Sequence, residues 1–473
     1  MPRKVRWLLR GLVLVQFFIV GWDALALQEA YGLYRVQPDG LHYLQMAHSL
    51  QRGELLRSTP LYEPAPYRWI HEWPLGYPAL IAATSTLTGL EPFYAARWLN
   101  LLSYALFYLA LWRFFRPWAE WLFFLLWPPS LTWSYTMVLS ENPYLPLFVA
   151  TLGLLREEER HKEALFLLLP ALFLVRYAGL GTGIGVGLWG LWALLQGQRK
   201  LSLMLIGASA VQAALAVGYF AWNALHDPQG EAGLHLRNAP MPSDFFQRTL
   251  EEVTYLRYLG LLVGLSVTAG LWRKQALSLQ EKRYFLLLGL LTAVQLAFYL
   301  VSMARGRIGL VDARHFVLVF LPAVVGLSLY TAERLPTWTQ VLIALTCVTW
   351  QVRNTYRHYQ RSLRENHLPY THLKAVQQAY DSLPFGTCII AGSQGYPVFG
   401  RRKDLSLGES DAYWPILLRT CRCLYIDCGD LKRRRAAGLV FKVLWPFVRN
   451  CDPPARQPID LRRIGCADSG WKN

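Results

Sequence analysis

The chain has 473 residues, 53% of them hydrophobic and only 17% charged, with a formal net charge of +17; soluble domains carry about a quarter charged residues. Its apolar residues come in long blocks, and lipid leaves the backbone no polar partner outside a helix. A soluble enzyme or binding module is therefore excluded, and the fold class is an all-α polytopic membrane protein.

The N-terminus, MPRKVRWLLR followed by GLVLVQFFIVGWDALAL, has a basic start and an apolar core. The small-residue pattern at 24–26 would suit a cleavable signal peptide, but the many apolar segments that follow favour a retained first helix with its basic end in the cytoplasm. A polar, aromatic outer loop then occupies about 28–94. Further crossings are expected near 95–115, 118–138, 143–155, 164–177, 179–195, 201–222, 258–272, 284–303, 316–330 and 338–350, which makes about 11 transmembrane helices. This alternation puts the basic clusters RFFR, REEERHK, QRK and WRKQALSLQEKR on the cytoplasmic side, as short loops require. Residues 1–352 thus form a membrane domain, and 353–473 lie outside.

That tail holds 20 Lys and Arg against 10 Asp and Glu. Long domains translocate largely regardless of charge. The run KRRR at 432–435 reads as a solvated face, with attraction to anionic headgroups or glycans as the alternative and no nucleic-acid role. Six of the 7 cysteines lie in the tail, which favours disulfides in an oxidising compartment. A zinc site on CRCLYIDC fits no common ligand spacing. The segments TCII and RCLYID read as strands, the first followed by a Gly-Pro turn and a return, so the tail is expected to be a small extracytoplasmic α/β domain.

Four features gather polar groups at the outer boundary. Asp39 opens an amphipathic helix with Leu41, Leu44, Ala47 and Leu50 on one face; it serves either as an N-cap under an interfacial helix or as a functional acid. The segment RWIHEWPLGYP sets Arg68, His71 and Glu72 among aromatic residues of the interfacial kind. Glu141, in Ser140-Glu141-Asn142-Pro143, is either a helix-start acid matched to the dipole or a functional carboxylate at the membrane edge. Arg176, Arg305, Arg307, Arg314 and His315 form a cationic set, and arginine's planar fork suits phosphate. Asp312 could simply pair with Arg314. Gly179, Gly183 and Gly187 recur every fourth residue, the spacing of close helix packing in lipid.

Taken in order, these motifs run Asp39-Gly-x-x-Tyr43, Trp73-Pro-x-Gly-Tyr-Pro, Ala96-Arg-x-x-Asn, Ser140-Glu-x-Pro, Arg176-Tyr-x-Gly and Arg314-His before a Pro-containing span. The series resembles the GT-C fold of integral-membrane glycosyltransferases, in the branch related to protein O-mannosyltransferases and lipid A aminoarabinose transferases. The resemblance implies an inverting transfer of a sugar from a polyprenyl-phosphate donor to a hydroxyl of an envelope glycan, lipid or protein, on the outer face of the membrane. It gives Asp39 the role of general base. Glu141, His42 and Glu72 become acceptor- or sugar-orienting residues, and Arg68, His71, Arg176, Arg314 and His315 become donor-phosphate contacts. It leaves room for a divalent metal ion held with Glu141 and requires no other cofactor. Where the protein-mannosylating branch often has Asp-Glu, this chain has Asp39-Gly40, which argues against simple protein O-mannosylation. A transporter or flippase of lipid-linked sugars is the alternative, and it would more often show repeated halves.

Overall fold

The computed structural model describes residues 3–25, 38–55, 57–58, 68–69, 73–126, 132–157, 161–226, 277–304 and 313–365, the positions 260, 263–264, 378–379 and 382–383, and four strands of the tail with Cys428. The helices are α1 (Arg3–Leu25), α2 (Pro38–Gln51), α3 (Gly76–Thr88), α4 (Pro92–Phe114), α5 (Ala119–Leu126), α6 (Glu141–Arg156), α7 (Leu165–Val175), α8 (Gly179–Leu195), α9 (Arg199–His226), α10 (Leu279–Ala304), α11 (Ala313–Arg334) and α12 (Thr337–Glu365).

Among the described residues, 3 helices are long and apolar enough to cross a bilayer: Arg3–Leu25, Arg199–His226 and Leu279–Ser302. This is an integral membrane protein. Most of the other expected crossings that are described match or exceed the hydropathy blocks in length; two differ. The third is described as α5 and a single helical turn at Thr132–Thr136, with 127–131 outside the described residues. The fifth is α7, with 11 residues, or about 16 Å at 1.5 Å per residue, against a hydrocarbon core of about 30 Å. Arg176 ends α7 in extended backbone (φ −154°, ψ 131°). The expected eighth crossing at 258–272 falls almost wholly outside the described residues.

One large apolar core joins all of these helices except α2 and α3. It runs from Leu9 and Val13 of α1 through Phe107 and Leu111 of α4 and Trp121 of α5 to Leu321 of α11. The Trp121 indole donates to the Ser328 carbonyl oxygen at 3.0 Å, so the one polar atom of this buried ring is satisfied. Helix α4 starts at Pro92, three residues before the expected span at 95–115, with the proline in the first turn and the Glu91 carboxylate accepting from the Phe93 amide at 2.7 Å.

The glycine spacing of α8 does what close packing requires. A Cβ at Gly183 would meet Gln212 and one at Gly187 would meet Ser209, both on α9; on the other side Gly185 faces Leu291 of α10. Gln212 then donates to the carbonyls of Leu169 and Gly179, tying α9 to α7 and α8 inside the apolar core.

Two short strands of the outer loop, β1 (Arg57–Ser58) and β2 (Arg68–Trp69), pair antiparallel. In the tail, β3 (Thr387–Ile390), β4 (Ser406–Gly408), β5 (Cys423–Asp427) and β6 (Leu461–Cys466) make a sheet in the order β4-β3-β5-β6. Strands β3 and β5 are the two expected from sequence. Strand β3 pairs parallel to both β4 and β5, and β6 pairs antiparallel to β5 with Cys423 opposite Cys466.

Candidate active site

Helix α2 carries Asp39 in its first turn. The sequence reading lays this helix on the membrane surface with one apolar face. In the structure His42, Tyr43, Leu44, Met46, Ala47 and Ser49 are all buried, so protein covers most of its circumference. The reason is local packing. Met46 joins an apolar cluster with Phe173 of α7 and Tyr219 of α9, and Trp73 and Leu75 close over it. The N-terminus of α3 approaches α7 so closely that a Cβ on Gly76 would meet the Leu174 carbonyl oxygen at 2.6 Å. Only glycine permits that contact, and it sets the outer loop beside Arg176.

One turn after Asp39, Tyr43 is buried and packs edge-on against Tyr77, with ring centroids 5.1 Å apart. Its hydroxyl donates to Ser140 Oγ at 2.9 Å. Ser140 Oγ also accepts from Arg176 Nη1 at 3.1 Å, and the same Nη1 lies 3.0 Å from Glu141 Oε1. Burial pushes the Tyr43 phenol above its ordinary value; the Asp39 carboxylate raises it further, Arg176 opposes, and Glu141 adds to the rise. Glu141, Arg176, Ser140 and Tyr43, from three helices, are thus joined by direct contacts, and Asp39 lies near enough for its charge to act on the Tyr43 hydroxyl.

The segment that presents Ser140 and Glu141 is held by two side-chain amides. Asn100 of α4 accepts from the Tyr77 hydroxyl at 2.7 Å and donates to the Met137 carbonyl. Asn142 donates to the carbonyls of Ser134 at 3.0 Å and Met137 at 3.3 Å. Arg97, in the same Ala-Arg-x-x-Asn motif, is buried and donates to the Ala24 carbonyl at 2.8 Å, which anchors the end of α1. Sequence reasoning assigned no role to Tyr43, Asn100, Asn142 or Ser140. Yet each lay inside a quoted motif, and their polar groups at otherwise apolar positions were the available signal.

The other sequence candidates are placed as follows. His42 is buried with its ring stacked on Trp73 at 4.0 Å, so the imidazole packs against the indole. Arg68 is described in its backbone, opposite Ser58. Arg314 and His315 are described as backbone in the first turn of α11. His71, Glu72, Arg305, Arg307 and Asp312 lie outside the described residues. Among the described residues, no three His, Cys, Asp or Glu side chains gather as a metal set. Glu141, the carboxylate offered for that purpose, pairs with Arg176.

The backbone arrangement has clear counterparts. The structure of ArnT, the lipid A aminoarabinose transferase of Cupriavidus metallidurans, bound to undecaprenyl phosphate, superposes with a TM-score of 0.54 at 14% identity over 88% of this chain and 93% of that one. The chain has the GT-C fold. The second GT-C counterpart is the archaeal oligosaccharyltransferase AglB from Archaeoglobus fulgidus, in complex with an inhibitory peptide and a dolichol-phosphate. It matches with a TM-score of 0.52 at 12% identity, over 99% of this chain and 75% of that one. Identities this low establish a shared fold, not a shared activity. No family model and no curated protein matches the sequence.

Proposed function

We propose that this GT-C protein is an inverting glycosyltransferase that moves a sugar from a polyprenyl-phosphate donor to an acceptor hydroxyl on the outer face of the membrane. The observation that carries this reading is the convergence of Asp39, Glu141 and Arg176 on Tyr43 and Ser140. The solved GT-C structures add support, since they hold undecaprenyl phosphate and dolichol-phosphate.

In this reading Asp39 accepts the proton of the acceptor hydroxyl as its oxygen attacks the anomeric carbon. The bond from that carbon to the phosphate oxygen breaks on the opposite face, and the electron pair leaves with the polyprenyl phosphate. Arg176 meets the charge that develops there, joined by Arg68, His71, Arg314 and His315. Glu141 holds the Arg176 guanidinium, while Glu72 orients the acceptor or sugar. His42 acts by supporting Trp73. Residues 1–352, with the outer loop 28–94, form the catalytic membrane domain. The basic tail 353–473, whose first residues continue α12 to Glu365, is an outer α/β domain with its cysteines joined in disulfides.

The test is to incubate the purified full-length protein with polyprenyl-phosphate sugars and cell-envelope acceptors and to follow release of polyprenyl phosphate. Asp39→Asn is expected to abolish transfer while leaving donor binding close to that of the unaltered protein. Full activity in that variant overturns the assignment. For sidedness, tail cysteines should react with an impermeant thiol reagent from outside, and only after reduction.

A further inference from the structure

The proposed mechanism uses Asp39 and Arg176 but gives no work to the two hydroxyls between them. Ser140 Oγ accepts from Tyr43 at 2.9 Å and from Arg176 at 3.1 Å, and both hydroxyl-bearing residues are buried. Tyr43 lies four residues after Asp39 on α2, hence on the same helical face. Arg176 stands at the C-terminal end of α7, and Ser140 immediately precedes α6. A chain of two hydrogen bonds therefore runs from the helix of the acid to the cation.

We infer that Tyr43 and Ser140 are positioning residues that fix the Arg176 guanidinium relative to α2, so that the lipid phosphate and the acceptor are met in one register. The inference rests on the function proposed above. Glu141 and Ser140 both meet Arg176 at Nη1, the carboxylate by attraction at 3.0 Å and the hydroxyl oxygen by a directional hydrogen bond at 3.1 Å. The direction of that bond fixes where the guanidinium lies, and the tyrosine holds the serine oxygen in turn. Buried hydrogen bonds joined end to end couple more strongly than separate ones. The geometry also predicts where the effect will be read. A misaligned guanidinium weakens contact with the donor phosphate, while Asp39 keeps its own place in the first turn of α2.

The experiment compares the full-length protein with Tyr43→Phe, Ser140→Ala and the double variant. Tyr43→Phe keeps the ring and its contact with Tyr77, so it removes little besides the hydroxyl. Three quantities are measured: binding of undecaprenyl phosphate, the donor KM and kcat for transfer, and the unfolding temperature in detergent. Each single variant is expected to weaken undecaprenyl phosphate binding and to raise the donor KM about tenfold, with kcat changed less than about threefold. The double variant is expected to be no worse than either single one, because one link is broken in every case. Variants that unfold earlier yet bind undecaprenyl phosphate as well as the unaltered protein would overturn the inference and leave the proposed function standing. Additive losses in the double variant would also overturn it. If the unaltered protein binds no undecaprenyl phosphate, the functional reading falls and takes this inference with it.

Discussion

Two arginine–carboxylate pairs in this molecule have nearly the same geometry and very different surroundings. Arg113 lies 2.6 Å from Glu157 with side chains 51% and 25% exposed; Arg176 lies 3.0 Å from Glu141 with side chains 16% and 1% exposed. The first lies between the ends of α4 and α6, with its guanidinium also over the Phe114 ring, and water screens the ion pair to a worth of about 0–1 kcal/mol. The second shares its guanidinium with Ser140 and, through it, with Tyr43. Burying charge costs several kcal/mol per ion unless every partner is in place. The difference teaches that distance alone does not mark a functional pair. What marks this one is a desolvated carboxylate in a network of polar groups from three helices.

That comparison can be broken or sharpened by mutation, starting with the largest effect. Asp39→Asn should lower kcat for sugar transfer by about a thousandfold, within the usual range for loss of a general base, as measured by release of polyprenyl phosphate. Arg176→Ala should cost about 3–5 kcal/mol of stability by leaving Glu141 buried and charged. Unfolding in detergent would read that loss, and adding Glu141→Gln should return part of it. Gly76→Ala should cost about 1–3 kcal/mol and reduce transfer, because the new Cβ meets α7 backbone rather than a flexible side chain. Arg113→Ala should shift the unfolding temperature hardly at all and leave transfer unchanged. If Arg113→Ala and Arg176→Ala proved equally harmful, burial would not be the distinction drawn here.

The titration of Tyr43 gives a further check. Its phenol has a raised folded value, so the stability it contributes is present below the ordinary tyrosine value of 10.0 and is lost as pH rises above that. Tyr43→Phe should therefore flatten part of the alkaline fall in unfolding temperature, measured between about pH 9 and 11.

Much of the fold was legible in the sequence. The apolar blocks marked the helices, and the glycine repeat marked the face α8 turns to α9. What hydropathy misread was length. It counts apolar residues without seeing where the hydrogen-bond pattern changes, so the turn at 132–136 was read as part of one span at 118–138, whereas the end of the fifth span fell within two residues of Arg176. The site was legible in its charged members and not in its neutral ones. Asp39, Glu141 and Arg176 are conspicuous in an apolar chain, whereas Tyr43, Asn100 and Ser140 look like ordinary helix residues until their partners are known. The burial of α2 was hidden for a similar reason. Its periodicity shows one apolar face, but His42, Tyr43 and Ser49 are buried as well, Tyr43 with a hydrogen bond to Ser140 and His42 stacked on Trp73, contacts that no hydropathy scale records.

The three charged residues share one more property, which follows from where their helices begin and end. Asp39 sits in the first turn of α2, Glu141 is the first residue of α6, and Arg176 caps the last turn of α7. Helix starts favour negative charge and helix ends favour positive charge, each by about 0.3–1 kcal/mol or more when partly buried. Each group is therefore partly solvated by the peptide dipoles of its own helix. These fixed dipoles replace mobile water, so in the proposed transfer a site built this way has little left to rearrange as charge moves onto the leaving phosphate.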